Sequence, residues 1–284
     1  MPPWSLISPA SRGIGFALTR RVLQTTKAPV VATARNNLDK TKEELLTGLD
    51  VDEKRLTVLK VDVLGTVVNA QARSMIWTNH HVLDETTIAD AAALCKEKFP
   101  PKTHQLQLSF IVPGLLFPEK SPSQINADDA LLTFRTNTLG PMLMLKHFSP
   151  FLPKKNHIGI GDKTELDGLP QASTTAVMSA RVGSISDNGL GGWYSYRASK
   201  AGVNQLVKTF DNHLKTTSGN NAVAIALHPG TVKTGLSREF WGSVKEEKLF
   251  DRDWVAERLF DVVKTVGVEG RGRCWDWDGK EVPP

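Results

Sequence analysis

Short apolar runs of strand length alternate with helically patterned stretches along the whole chain. The runs WSLI (4–7), PVVATA (29–34), LTVLKVDV (56–63), QLQLSFIV (105–112), STTAVMSA (173–180), AVAIALH (222–228) and a segment near 272–277 read as strands. Helical periodicity occupies stretches near 13–26, 37–48, 84–98, 127–150, 194–217 and 253–266. Val, Ile, Leu and Ala fall on both parities of the strands, the pattern of strands covered on both faces. Strand–helix alternation predicts parallel strands joined by right-handed crossovers, with helices on both sides of one sheet. A single undivided α/β domain over residues 1–284 is expected, because large α/β folds often run to this length.

Composition narrows the setting. Hydrophobic content of 40% and charged content of 23% fit a soluble globular protein. The net charge of +5 is spread thinly, with no run of like charges that reads as a nucleic-acid arm; it favours an anionic small ligand at most. Cys95 and Cys274 are too few for a disulfide framework, and no Cys/His spacing suggests a metal site. The chain enters a strand almost at once, which leaves no room for a leader, and no apolar run approaches membrane-spanning length. A cytoplasmic protein with a small-molecule partner, and neither nucleic acid nor membrane, is the expectation.

One segment breaks the alternation. Removing about residues 64–82 would join the third strand directly to the helix beginning near Leu83-Asp84, with a loop of ordinary length. The piece reads as an insertion, either a retained intron or a real loop, that makes a surface excursion beside the end of the third strand, where an adenine would sit. Its His80-His81 pair has no third ligand nearby.

Candidate chemistry gathers where strands pass into helices. After the first strand, Ser8, Ser11, Arg12 and Gly13-Ile14-Gly15 stand where a tight turn enters a helix. Backbone amides and the helix dipole there suit a phosphate, although an ordinary turn would look the same. The second strand ends at Arg35, where a dinucleotide fold meets the adenosine ribose. An acid there binds a free 2′-hydroxyl and an arginine suits a 2′-phosphate, so Arg35 points to NADP over NAD unless it is a plain surface residue. Asp62 and Val63 close the third strand, the carboxylate placed to accept from an adenine amino group. Gly114 after the fourth strand permits close backbone approach. Pro141 lacks an N–H, so the Asn137 carbonyl loses its helical partner; this makes either a simple kink or a site for an ordered water.

Past the fifth strand lie Ser179, Ser184 and Ser186, and then WYSYRASK, with Tyr196 and Lys200 four apart. On a helix such a pair shares one face. A lysine cation beside the phenol would lower its pKa from about 10 toward a useful range, whereas a solvated surface pair would show the same spacing. Pro229, Gly230, Thr231, Val232 and Thr234 follow the sixth strand and suit a nicotinamide amide. Residues 235–252 are aromatic and charged, as in a substrate lid.

Taken in this order, the motifs resemble the short-chain dehydrogenase/reductase family across the chain apart from 64–82. The run ARVGSISDNGLGGWYSYRASKA is most similar to the carbonyl reductase branch that includes sniffer and the bacterial C-factor proteins. The resemblance implies a seven-stranded doubly wound Rossmann sheet and NADP(H)-linked interconversion of a carbonyl and an alcohol. It implies Tyr196 as general acid/base, Lys200 on the nicotinamide ribose, and Asn137 holding a relay water. It also assigns Gly13, Gly15, Arg35, Asp62 and Thr234 to the cofactor, and implies a homodimer or homotetramer. Three departures stand out: Pro9 replaces the first loop glycine, Val112-Pro113-Gly114 replaces an NNAG motif, and Ala180 aligns with the usual serine. Ser184, with Ser179 in reserve, is therefore the expected substrate-orienting hydroxyl. The departures also leave open an NADP(H)-binding sensor or signalling protein with weak turnover.

Overall fold

A computed structural model describes residues 1–63, 85–156, 166 and 168–284. The segment 64–82 lies outside the described residues. Strands β1 (Pro3–Ser8), β2 (Val30–Ala34), β3 (Leu56–Lys60), β4 (Gln105–Ile111), β5 (Ser173–Met178), β6 (Ala222–His228) and β9 (Cys274–Asp276) run parallel in one sheet. The expected seven parallel strands are joined by an eighth, β10 (Glu281–Val282), which pairs antiparallel with β9. An Asp-Gly turn makes this hairpin. Asp276 Oδ1 accepts from the amides of Asp278 and Lys280, and Gly279 takes φ 73°, a backbone state open to glycine at no steric cost. The strand order is β10-β9-β6-β5-β4-β1-β2-β3, so the winding reverses between β1 and β4. A separate two-stranded piece pairs β7 (Thr231–Val232) with β8 (Leu249–Phe250).

Helices α1 (Gly13–Thr25), α2 (Leu38–Leu46) and α7 (Arg252–Val266) cover one face through Leu18, Val22, Leu45, Val255 and Leu259. Helices α3 (Glu85–Lys98), α5 (Gly140–Phe148) and α6 (Tyr194–Thr217) cover the other through Ile88, Met144, Phe148, Val203 and Val207. Adjacent strand residues divide between the two cores, Ile225 and Leu227 facing one and Ala224 and Ala226 the other. Leu106 and Leu108 share a parity yet face opposite cores. The register of β4 against β1 jumps from Trp4↔Leu106 to Ser5↔Leu108, and Gln107 is the extra residue of the bulge.

The stretch expected as one helix over 127–150 is three elements: α4 (Ala127–Phe134), a π-helical turn (Arg135–Leu139) and α5. The Gly140 amide reaches back to the Arg135 carbonyl, five residues away. Pro141 has no amide to offer, and the position that loses its bond, Asn137, lies within this wide turn. Strand β3 also ends at Lys60 and β5 at Met178, short of the apolar runs that announced them.

Helix α6 is fastened by a buried ion pair. Arg271 Nε lies 2.9 Å from both carboxylate oxygens of fully buried Asp211, and its other nitrogens donate to the carbonyls of Gly219 and Ala222. Asp211 also accepts from the Ala224 amide of β6. Removing one partner of such a pair strands the other, so Arg271→Ala is expected to cost about 3 kcal/mol in urea denaturation. Lys215, 3.6 Å from Asp211, keeps the loss from growing further. A change below about 0.5 kcal/mol would show that the pair does not hold the helix.

Candidate functional site

The strand ends on the carboxyl side of the sheet carry the site. The first loop is shaped by Pro9, whose carbonyl would stand 1.9 Å from a Cβ on Gly15, so only glycine lets α1 start this close. Gly13 takes φ 61°. Arg12 precedes the helix in extended geometry with no side-chain cap, and no acid occupies the first turn. The helix therefore presents uncapped amides and the positive end of its dipole.

A cavity of about 350 Å³ opens beside this loop. Ser8, Ser11 and Arg12 line one side, Arg35 and Lys40 another, and Gly114 a third. The structure thus brings together six of the sequence-predicted residues of the glycine loop and strand tips, Val63 being the sixth. Val63 and its neighbour Val61 also line the cavity, whereas Asp62 is held by its amide donating to Thr87 Oγ1. Ile14 packs against the core. Lys40 was not anticipated, although it lies five residues past Arg35 on the first turn of α2; it pairs with Glu44 at 3.7 Å, and Glu44 also lines the cavity.

The loop after β6 reaches the same region. Thr234 Cγ2 would lie 3.6 Å from a Cβ on Gly13. Gly230, at φ 73°, leaves room for the Phe250 ring, whereas Val232 is buried in the core. The β7–β8 pair brackets most of the 235–252 segment, in which a 3-10 turn (Arg238–Ser243) places Phe240 4.9 Å from the Trp193 ring.

Tyr196 and Lys200 occupy the start of α6, both buried, with 7% and 1% exposure. Lys200 Nζ lies 5.7 Å from the phenol ring centroid and donates to the Met178 carbonyl at 2.8 Å. Burial pushes the phenol up to about 12, against the expected lowering by lysine. At this separation, and with its ammonium committed to Met178, Lys200 does not offset the desolvation of a phenolate. Burial likewise pushes Lys200 down to about 8, with Cys274 acting weakly in the opposite sense.

Polar bonds fix this helix end to its neighbours. The Asn137 side chain accepts from the Leu115 amide at 2.8 Å and donates to the Leu115 carbonyl at 2.9 Å and to Ser199 Oγ at 3.0 Å. Ser199 Oγ donates to the Tyr196 carbonyl. The Asn137 side chain is therefore a strut between the β4 loop and α6. Ser179 donates to Asn204 Oδ1 at 2.6 Å. Ser184, expected to orient substrate, instead accepts from the Asp187 amide at 3.0 Å and lies 3.3 Å from the Pro284 carbonyl. Its hydroxyl shapes its own loop. Ala180 is buried and offers no hydroxyl.

No protein-family model matches the chain. Among curated proteins it is 32% identical over 157 residues to C-signal of Myxococcus xanthus, covering 55% of this chain and 78% of that one. It is 27% identical over 195 residues to 1-hydroxy-2-glutathionyl-2-methyl-3-butene dehydrogenase of Rhodococcus sp. (strain AD45), covering 69% and 76%. Among solved structures it resembles the NADPH-bound carbonyl reductase from chicken fatty liver, with a TM-score of 0.75, 24% identity, and 99% and 98% of the two chains covered.

The buried ammonium has a signature in stability. The folded protein releases the Lys200 proton near pH 8, whereas the unfolded chain keeps it to about 10.5. Between those values the unfolded state holds more protons, so stability from this group rises with pH and its penalty is full below 8. Lys200→Met is expected to gain about 1–3 kcal/mol in urea denaturation at pH 7, a gain that shrinks by pH 10. A variant no more stable than wild type at pH 7 would contradict a penalised ammonium.

Proposed function

Because the chain belongs to the short-chain dehydrogenase/reductase family, we propose that it reduces a ketone or aldehyde with NADPH, Tyr196 delivering the proton. The observation that carries this reading is the buried pair of a neutral phenol and a lysine ammonium at the carboxyl end of β5. The cavity supports the cofactor: three cations, Arg12, Arg35 and Lys40, line it near the end of β2, where a 2′-phosphate would need them. The glycine loop supports it too, since its uncapped helix end and close Pro9–Gly15 approach suit a pyrophosphate.

In this reading bound NADPH supplies a hydride to the carbonyl carbon, and the protein handles the oxygen. With its pKa near 12, Tyr196 keeps its proton at neutral pH and offers it to the oxygen as negative charge develops there. Lys200, still protonated below about 8, would hold the nicotinamide ribose rather than the phenolate, from whose ring centre it stands 5.7 Å away. The Asn137 carbonyl, without an amide from Pro141, holds the water that returns the proton to Tyr196. The Ser179 hydroxyl donates to Asn204 and that of Ser184 to the Pro284 carbonyl, so in this reading the phenol works without a loop serine. Asp62, Gly114, Gly230, Thr231 and Thr234 serve the cofactor, and residues 235–252 close over the substrate. The protein self-associates through the helices of 127–150 and through α6, with Leu131, Phe134 and Met142 exposed on the former. The missing serine also favours a second reading, an NADP(H)-binding sensor with weak turnover.

Tyr196→Phe is expected to lower kcat by about 10²-fold or more in NADPH oxidation against a carbonyl panel, with NADPH affinity preserved. Full activity in that variant would contradict the mechanism, and tight NADPH binding with no turnover by wild type would favour the sensor. Arg35→Ser should weaken NADPH binding about 10- to 100-fold while leaving NADH binding nearly unchanged, measured by fluorescence titration. Equal weakening of both cofactors would remove Arg35 from the 2′-phosphate. Ser184→Ala should keep kcat within about 3-fold of wild type; a loss beyond about 10-fold would restore the serine to the reaction.

A further inference from the structure

Glu119 sits between β4 and the 3-10 turn Pro122–Gln124, and is 3% exposed. A carboxylate this deeply buried needs partners, and those of Glu119 lie at the start of α6. Its Oε2 accepts from the Ser195 amide at 2.8 Å and its Oε1 from the Ser195 hydroxyl at 2.5 Å. Its backbone carbonyl accepts from the Trp193 amide at 2.6 Å. The helix has no cap of its own: Trp193, at the cap position, is left-handed with φ 52° and ψ 47°, has no side-chain acceptor, and no acid follows in the first turn. Gly191, Gly192 and Trp193 all have positive φ, so this approach to the helix is held from outside rather than by its own preferences.

We infer that Glu119 is a positioning residue for the reaction, clasping the first turn of α6 so that Tyr196 and the Trp193 wall keep a fixed geometry. Tyr196 directly follows the clasped Ser195, and the edge of the Trp193 ring meets the phenol ring at 6.1 Å and 77°. Trp193 also packs on Phe240 of the 235–252 segment. One side chain thus sets the phenol and the aromatic wall that the covering segment rests on. The carboxylate also complements the positive end of the helix dipole. The inference rests on Tyr196 acting as the proton donor.

Glutamine separates the clasp from the charge. A glutamine at 119 can accept from the Ser195 amide through Oε1 and donate through Nε2 to the Ser195 hydroxyl, keeping both bonds. In full-length protein, Glu119→Ala is expected to lower kcat for a carbonyl substrate about 10- to 100-fold, as expected of a displaced reacting group, with KM for NADPH unchanged. Amide exchange over residues 194–197 should quicken at least ~10-fold in the same variant. Glu119→Gln should keep both readouts within about 3-fold of wild type. If the alanine variant does not fold, Ser195→Ala carries the test, with kcat expected to fall about 3- to 10-fold at unchanged KM.

Wild-type kcat in Glu119→Ala, or a glutamine variant as impaired as the alanine one, overturns the clasp. So does wild-type kcat in Ser195→Ala when the alanine variant at 119 cannot be made. Tyr196→Phe with full activity would instead overturn the underlying reading, and it leaves exchange at residues 194–197 as the separate measure of whether Glu119 holds the helix.

Discussion

An ammonium held in an apolar interior is costly, and the architecture of this site follows from keeping one there. Lys200 is 1% exposed and its amine bonds the Met178 carbonyl, the last residue of β5. That contact fixes the helix carrying Lys200 against the end of the sheet. Gly183 lies so close to it that a Cβ would approach the Lys200 carbonyl carbon to 2.6 Å, so the turn after β5 must carry a glycine there. The same desolvation that lowers Lys200 raises Tyr196, and the two groups are driven toward opposite ends of their ordinary ranges. The result is a proton-rich phenol and a readily discharged amine on one face of one helix.

Such a helix has to be held in register, and the polar bonds along α6 do so from separate parts of the chain. Asn137 and Thr138 reach Ser199 from the π-helical turn, and Ser179 reaches Asn204 from the end of β5. Arg271 and the β6 backbone grip Asp211 in its second half. Glu119 closes the near end. Since a buried polar group without a partner is expensive, each of these bonds opposes sliding or rotation more strongly than side-chain packing alone. The wide turn at Arg135–Leu139 belongs to the same scheme, because it is the element that delivers Asn137.

Much of this was legible from the residues themselves. Strands covered on both faces leave unbroken apolar runs, so all seven parallel strands could be seen, whereas the two-residue β10 was marked only by the Asp-Gly turn before it, which closes the sheet edge. Tyr196 and Lys200 were legible because helical spacing converts directly into a shared face. Their protonation was not, because it depends on burial and on a 5.7 Å separation that spacing does not contain. Ser184 shows the limit of composition: a serine near a site on the chain says nothing about where its hydroxyl points, and here it accepts from the Asp187 amide and faces the Pro284 carbonyl. Glu119 and Ser195 are 76 positions apart, so their pairing is a property of the folded chain alone. The π-helical turn was half legible, since Pro141 marked the lost bond but not the wider winding around it.

The small hairpin of β9 and β10 has a bearing on solubility. A parallel sheet ends on a strand whose free amides and carbonyls invite another chain to add to it. On the β9 side that invitation is taken up by two residues of the same chain, Glu281 and Val282. Val282 turns inward and is 2% exposed, while Glu281 turns out and pairs with Arg273. A strand this short, carrying a charged pair, offers little template of its own. The border is closed to edge-to-edge aggregation by two residues and a turn.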